Sequence, residues 1–400
     1  MKKIFNIFKS ELKEVFTDQG TILIMVGAIF LYGIFYMVPF SKQMLRDVPI
    51  AVVDLDNSSL SREFIRDLNS NEMIEISSRP ISIEDAQEEY YQNKIRAYIV
   101  IPKDFEKDVL RGGNSFISAY EDSAFLIIYK QIATGLATTV SSLDAKIEVG
   151  SFMKKGLSKE QSINIKLPFD FVQLPLYNPI GSYQNYIYPL ILVLILQQTM
   201  LLGVGMLGGT IKEKLRGINI WSEDGKIVEV KQEKVSEFSD NPMEIVLGKS
   251  LAYVLIYFIY SLIYFLVFPA FVVYDMTYNP SMFIILIPFL FAVAFLGQAM
   301  VYFYAERENS LFILIVTSVP MLFQPGFVWP KECIPMWLKC ISYFIPTTPA
   351  MDGLTRINQM GASFYQVQGD FWQLILLCCL FFFLACKVTF NMNRCSAKEC

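Results

Sequence analysis

The chain has 400 residues, 54% of them hydrophobic and only 18% charged, and its mean hydropathy is +0.40; soluble domains carry about 25% charged residues, so a wholly soluble protein is excluded. A net charge of −4 argues against a nucleic-acid partner, which would require a basic surface. With no histidine and no CxxC pair among seven cysteines, His-based acid–base or nucleophilic catalysis, His metal sites, zinc ribbons and thioredoxin-like motifs drop out.

Residues 1–19 place Ile4, Phe5, Phe8, Leu12, Val15 and Phe16 at helical spacing, with Lys2, Lys3, Lys9 and Lys13 alongside. That pattern predicts an amphipathic helix lying in the lipid headgroup layer. Gly20–Phe40 is the first of six uncharged stretches; the others are Tyr186–Gly209, Ser250–Tyr274, Ser281–Ala305, Asn309–Pro330 and Phe371–Cys386. About 20 apolar helical residues cross a hydrocarbon core about 30 Å thick. The expected fold is therefore a polytopic α-helical membrane protein with six transmembrane helices. The sixth extends to residue 390 if Lys387 snorkels. With the amino terminus inside, the cytoplasmic parts carry 15 basic residues and the outer segment 331–370 carries three. Both termini are accordingly expected in the cytoplasm.

Residues 41–183 are long enough for a core of their own and are expected to form an extracytoplasmic α/β domain inserted between helices 1 and 2. Val48–Val53 reads as a strand, Asp54 to Ser59 as turn and cap chemistry with Asp56 capping a helix, and Leu60, Phe64, Ile65 and Leu68 as a helix face. Strands at Met73–Ile76, Ala97–Ile101, Ser115–Tyr120 and Phe169–Leu174 and helices at Ile83–Gln92 and Ala124–Glu148 complete a mixed sheet. The carboxylates from Glu84 to Glu89 read as a solvated helix face, since no loop repeats ligands at calcium-binding spacing.

In the membrane half, none of the six stretches contains Asp, Glu, Lys or Arg. Ion-coupled carriers and intramembrane proteases normally keep such groups there, so both classes are disfavoured. Gly205 and Gly209 form a GxxxG pair suited to close helix packing. Just beyond, Lys212, Glu213, Lys214 and Arg216 lie on a short helix over 210–217, and a polar stretch occupies 218–240. Segment 327–349, with Trp329, Pro330, Pro335 and Trp337, is apolar but punctuated by proline. It is expected as short helices re-entering the outer leaflet, with both tryptophans at the interface. Cys333 and Cys340 lie there, but seven helical residues would separate them by about 10 Å, beyond bridging range.

The run from Val48 to Leu68, VPIAVVDLDNSSLSREFIRDL, resembles the external-domain opening of type-2 ABC exporter permeases. Tyr183 to Pro189, Asn241 to Ser250 and the proline-rich 325–349 are similar to that family in the same order. The resemblance implies an exporter subunit in the bacterial inner membrane that moves a substrate outward. The aromatic-rich spans suggest an amphipathic, drug-like or lipid-like cargo, although 33 Phe suit a lipid-facing surface equally. The resemblance also implies a dimer with a second copy or a paralogue. Some relatives with this external domain also work with a periplasmic adaptor and an outer-membrane channel, which stand as further candidate partners. No GxxxxGK[ST] motif occurs, so no cofactor is expected in this chain. ATP is expected on a separate ATPase subunit, contacted through Lys212, Glu213, Lys214 and Arg216. Plain positive-inside anchoring by the three cations stays open, as does a membrane-anchored receptor or scaffold acting through the external domain.

Overall fold

The computed structural model describes residues 1–37, 45–166, 176–178, 182–215, 220–221, 227–228, 235–236, 238–268, 279–304, 306–323, 326 and 329–397. The amino-terminal pattern forms α1, Lys2–Thr17, whose buried residues are Ile7, Glu11 and Val15. An 83° bend separates it from the first apolar helix, which runs through α2 (Gln19–Ile22), a π-helical turn (Leu23–Ala28) and α3 (Ile29–Met37). Asp18 makes the bend: its backbone is extended and its carboxylate accepts from the Thr21 amide at 2.8 Å, capping the new helix.

Residues 44–174 form a compact unit of their own. In chain order it contains β1 (Val48–Asp54), α4 (Ser59–Asn69), β2 (Ile74–Ser78), α5 (Ile83–Tyr91), β3 (Ala97–Ile101), α6 (Phe105–Leu110), β4 (Ser118–Glu121), α7 (Leu126–Lys154) and α8 (Lys159–Lys166). The sheet order is β2-β1-β3-β4, with β1 parallel to both neighbours and β4 antiparallel to β3. The two central strands are apolar at nearly every position because both faces are covered. Ile50, Val52, Ile99 and Ile101 pack with Phe64, Leu68 and Ile132, and Ala51, Val53, Tyr98 and Val100 pack with Ala86 and Ile95.

Asp56 does cap a helix, but not the one that follows it. Ser58 caps α4 by accepting from the Ser61 amide, whereas Asp56 accepts from the amides of Phe105 and Glu106 at 3.1 Å, starting α6. Asp54 is likewise spent on the amides of Asp56 and Asn57 and the Ser61 hydroxyl. The expected strand over 169–174 lies outside the described residues.

The rest of the chain, with the amino-terminal helices, forms the second unit. It contains α9 (Tyr183–Leu215), β5 (Ile220–Trp221), β6 (Ile227–Val228), α10 (Pro242–Leu262) continuing into a π-helical turn (Ile263–Val267), α11 (Phe283–Met300), α12 (Arg307–Phe323), α13 (Met336–Ser342), α14 (Thr347–Asn358) and α15 (Phe364–Ala397). Four helices among the described residues are long and apolar enough to cross a membrane: Gln184–Lys214, Pro242–Val267, Pro280–Phe303 and Phe364–Arg394. The bent pair α1 with α2–α3 supplies a fifth if it is one span. The stretch expected as the fifth of six spans forms α12, which at 17 residues rises about 26 Å. Residues 324–325 beyond it lie outside the described set.

α9 is the most enclosed of the four spans, 78% of its apolar window being buried against 28% for α15. It is thus the central post of this unit. Tyr188, Leu192, Leu196 and Met200 of α9 pack against Tyr253 and Tyr257 of α10 and against Phe289 and Val293 of α11. Pro189 and Pro288 sit inside α9 and α11 without ending them. The polar stretch 218–240 holds a minimal antiparallel ladder, Ile220 opposite Val228 and Trp221 opposite Ile227.

Candidate functional site

The separate helix expected over 210–217 does not exist as such. α9 continues without a break to Leu215, because Lys212, Glu213, Lys214 and Leu215 are all good helix formers and hydrophobicity, not helicity, is what ends at Gly209. Lys212 and Glu213 are turned onto the chain itself. The Lys212 ammonium donates to the carbonyls of Tyr302 and Tyr304, both at 2.8 Å, and lies 5.9 Å from the Tyr302 ring centre. The Tyr302 carbonyl belongs to the 3₁₀ turn Val301–Phe303 that ends α11, and the Tyr304 carbonyl follows it directly. The Glu213 carboxylate accepts from the backbone amide of Arg307 at 2.5 Å, so it caps the start of α12 from another helix. Lys214 is exposed. Arg216 lies outside the described residues.

Gly205 and Gly209 explain how α12 comes so near. A Cβ on Gly209 would stand 2.7 Å from the Arg307 Cα and 2.9 Å from its nitrogen, and one on Gly205 would stand 3.0 Å from the Ser310 Cβ. The neighbour these glycines admit is therefore a helix of the same chain.

Arg307 closes the arrangement. Its guanidinium grips Asp18 with two bonds of 2.6 and 2.5 Å. One residue thus ties the bend after α1, the end of α9 and the start of α12. The hydrogen bonds from Arg307, outweighing the opposing effect of burial, hold the Asp18 carboxyl down to about 2. A carboxyl whose folded value is lowered stabilises the fold above its ordinary value of 3.8, and that contribution is lost as pH falls from there towards 2. Stability measured by thermal shift in detergent should therefore respond to Asp18→Asn at neutral pH, and the gap between variant and parent should close on acidification through this window. A gap unchanged at low pH would show that Asp18 acts only as a helix cap.

A second ionic group lies inside the bundle. Glu11 of α1 and Lys249 of α10 pair at 3.0 Å with their side chains 3% and 11% exposed, and the Tyr253 hydroxyl donates to the same carboxylate. Lys249 lies on the helix Pro242–Val267, one residue before its uncharged stretch. Nearby, Gln298 of α11 donates to the Ser250 hydroxyl at 2.6 Å. A cavity of about 30 Å³, room for a water or two, is lined by Lys249, Tyr253, Gln298 and Thr389 together with Gly208 and Val301. One signal for this group was present in the sequence: Glu11 stands in the apolar stripe between Ile7 and Val15.

At the opposite end of α9, the proline-rich segment folds as short helices. Pro330 precedes a 3₁₀ turn, Lys331–Cys333, and Pro335 precedes α13. Trp329 and Trp337 are exposed. Helix α14, Thr347–Asn358, continues past the expected boundary at residue 349 and is largely buried. Cys333 and Cys340 are exposed free thiols. Among the described residues no group of three or more Cys, Asp or Glu side chains is arranged to hold a metal ion.

Two comparisons bear on this arrangement. Over 389 residues, 92% of this chain and 94% of the relative, the sequence is 23% identical to the linearmycin resistance permease protein LnrN of Bacillus subtilis (strain 168). Residues 20–387 match the family described as ABC-2 family transporter protein. The match takes in the apolar helices, the α/β unit and Arg307 alike, and the chain is a multi-pass membrane protein that belongs to the ABC-2 transporter family.

Proposed function

We propose that this chain is the permease subunit of an ATP-driven exporter that moves an amphipathic or hydrophobic, drug-like or lipid-like molecule out of the cytoplasm or the inner leaflet. It works as a dimer of permeases, with ATP bound and hydrolysed on a separate subunit. Both termini and the Lys212 end of α9 face the cytoplasm, the α/β unit lies outside, and the chain makes six spans. The observation that carries the reading is the junction at Arg307: a force applied to the end of α9 is delivered at once to the bend after α1 and to the start of α12. Membership of the ABC-2 family, which implies a partner ATPase, and the resistance function in the name of the Bacillus relative support it.

In this reading the ATPase contacts Lys214 and Arg216, while Lys212 and Glu213 hold the surface in shape. Glu213→Gln keeps an oxygen that can accept from the Arg307 amide, whereas Glu213→Lys removes the acceptor and places a cation at a helix amino end. Purified with its ATPase, the Gln variant should retain most substrate-stimulated ATP hydrolysis. The Lys variant should insert but lose stimulation about tenfold or more. Wild-type stimulation in the Lys variant would defeat the junction as the coupling element, and failure of any ATPase to co-purify with the wild-type chain would defeat the exporter reading itself.

A further inference from the structure

About 33 Å along α9 from Lys212, a cavity of about 330 Å³ opens between the first turns of that helix, the 3₁₀ turn Lys331–Cys333 and the last turns of α14. Its apolar surface is supplied by Tyr186 and Met360, both exposed, over the buried Leu190 and Met351. Its polar wall carries charges of both signs, from Lys331, Glu332, Asp352 and Arg356. Lys331 pairs with Asp352, and Arg356 lies 3.7 Å from Asp370, a separation too long for a hydrogen bond. In both pairs the cation is the more exposed partner, 41% against 28% and 48% against 14%. The carboxylates therefore stand behind and the ammonium and guanidinium face outward with donors to spare. Glu332 is exposed at the same rim and makes no ion pair among the described residues. The rim thus offers two forward cations and one forward carboxylate above an apolar wall.

We infer that this cavity binds the polar end of a zwitterionic amphiphile: its phosphate or carboxylate between Lys331 and Arg356, its ammonium at Glu332, and its apolar body along Tyr186 and Met360. This rests on the exporter reading only in treating the ligand as cargo; the binding itself does not. A purely anionic headgroup would face Glu332 and the carboxylates behind the cations, and a purely cationic one would face Lys331 and Arg356. Selection is thus by the presence of both signs.

Trp329 stands two residues before Lys331 and serves as the reporter. With Trp221→Phe, Trp337→Phe and Trp372→Phe in the full chain in detergent, dibrominated phosphatidylethanolamine should quench Trp329 at a concentration at least about tenfold lower than dibrominated phosphatidylglycerol or a dibrominated trimethylammonium lipid. Glu332→Gln should remove most of the disadvantage of phosphatidylglycerol, and Arg356→Gln most of that of the cationic lipid. Opposite shifts in two variants cannot arise from a common loss of fold. Equal quenching by the three lipids, or one unchanged ranking in both variants, would overturn the site. Displacement by water-soluble glycerophosphoethanolamine as potent as the lipid would overturn its assignment to an amphiphile. None of these readings involves ATPase binding, so the site and the exporter reading fail separately.

Discussion

Lys249→Met is expected to destabilise the protein by about 3–5 kcal/mol, because it leaves the Glu11 carboxylate buried without its cation. Glu11 is 2% exposed and Lys249 8%, so neither charge can turn to water when its partner is lost. The Tyr253 hydroxyl would remain as a donor to Glu11 but brings no compensating charge. A buried ion pair replaced whole by apolar groups of similar size is often neutral or better. The double variant Glu11→Leu with Lys249→Met should therefore recover most of the loss. Thermal midpoints and monodisperse yield in detergent for the two singles and the double provide the check. A stable Lys249→Met protein would mean that α1 is not held by this pair, while a double variant as poor as the singles would mean that the pair is needed as charge rather than as packing.

Gly209→Leu should be as damaging for a different reason. The atoms in the way are the Arg307 Cα and nitrogen, 2.7 and 2.9 Å from where the new Cβ would stand, and main chain cannot swing aside as a side chain can. The start of α12 would have to retreat, taking Arg307 off Asp18 and its amide off Glu213. Overpacking of this kind costs typically about 1–3 kcal/mol before the lost polar contacts are added. Gly150→Ala is the matched control: it lies in α7 with nothing within 4 Å of the new Cβ, and should be neutral or stabilising by up to about 1 kcal/mol. Loss of ATP-dependent transport and of thermal stability in the Gly209 variant, with neither in the Gly150 variant, is the expected pair of results. Normal behaviour of Gly209→Leu would remove close helix approach as the reason for this glycine.

The α/β unit was the most legible part of the chain. Val48–Val53 and Ala97–Ile101 are continuous apolar runs bounded by turn residues; the first became β1, Val48–Asp54, one residue longer, and the second became β3 with the same ends. Helix α6 escaped notice because its six residues span fewer than two helical turns, too few for the period to repeat, and it owes its start to Asp56 far away in sequence. In the membrane half, hydropathy located the apolar centres but not the helix ends. α9 keeps its hydrogen bonds for six residues past the last glycine, and α10 begins at Pro242, where Asn241 caps it, well before the first uncharged residue of the stretch. Reading spans as uncharged stretches therefore placed Lys249 one residue before the stretch, although it lies on the same helix. Of the site, Gly205, Gly209, Lys212 and Glu213 stand out by type and spacing. The residue that joins them, Arg307, looks like one more positive-inside charge, because its partners Asp18 and Glu213 are remote in sequence and no local pattern links them.

That remoteness has a consequence for biosynthesis. Asp18 and Arg307 are 289 residues apart, and Glu11 and Tyr253 are 242 apart. At about 5–20 residues per second of synthesis, the amino-terminal helix waits roughly 15–60 s after leaving the ribosome before its last clasp exists. Until residues 249–253 are made the Glu11 carboxylate lacks its partners, and until residue 307 is made Asp18 lacks its guanidinium clasp. The bend at Asp18 therefore sets last, and a chain truncated before residue 307 would carry an amino-terminal helix whose bend nothing yet fastens to the end of α9.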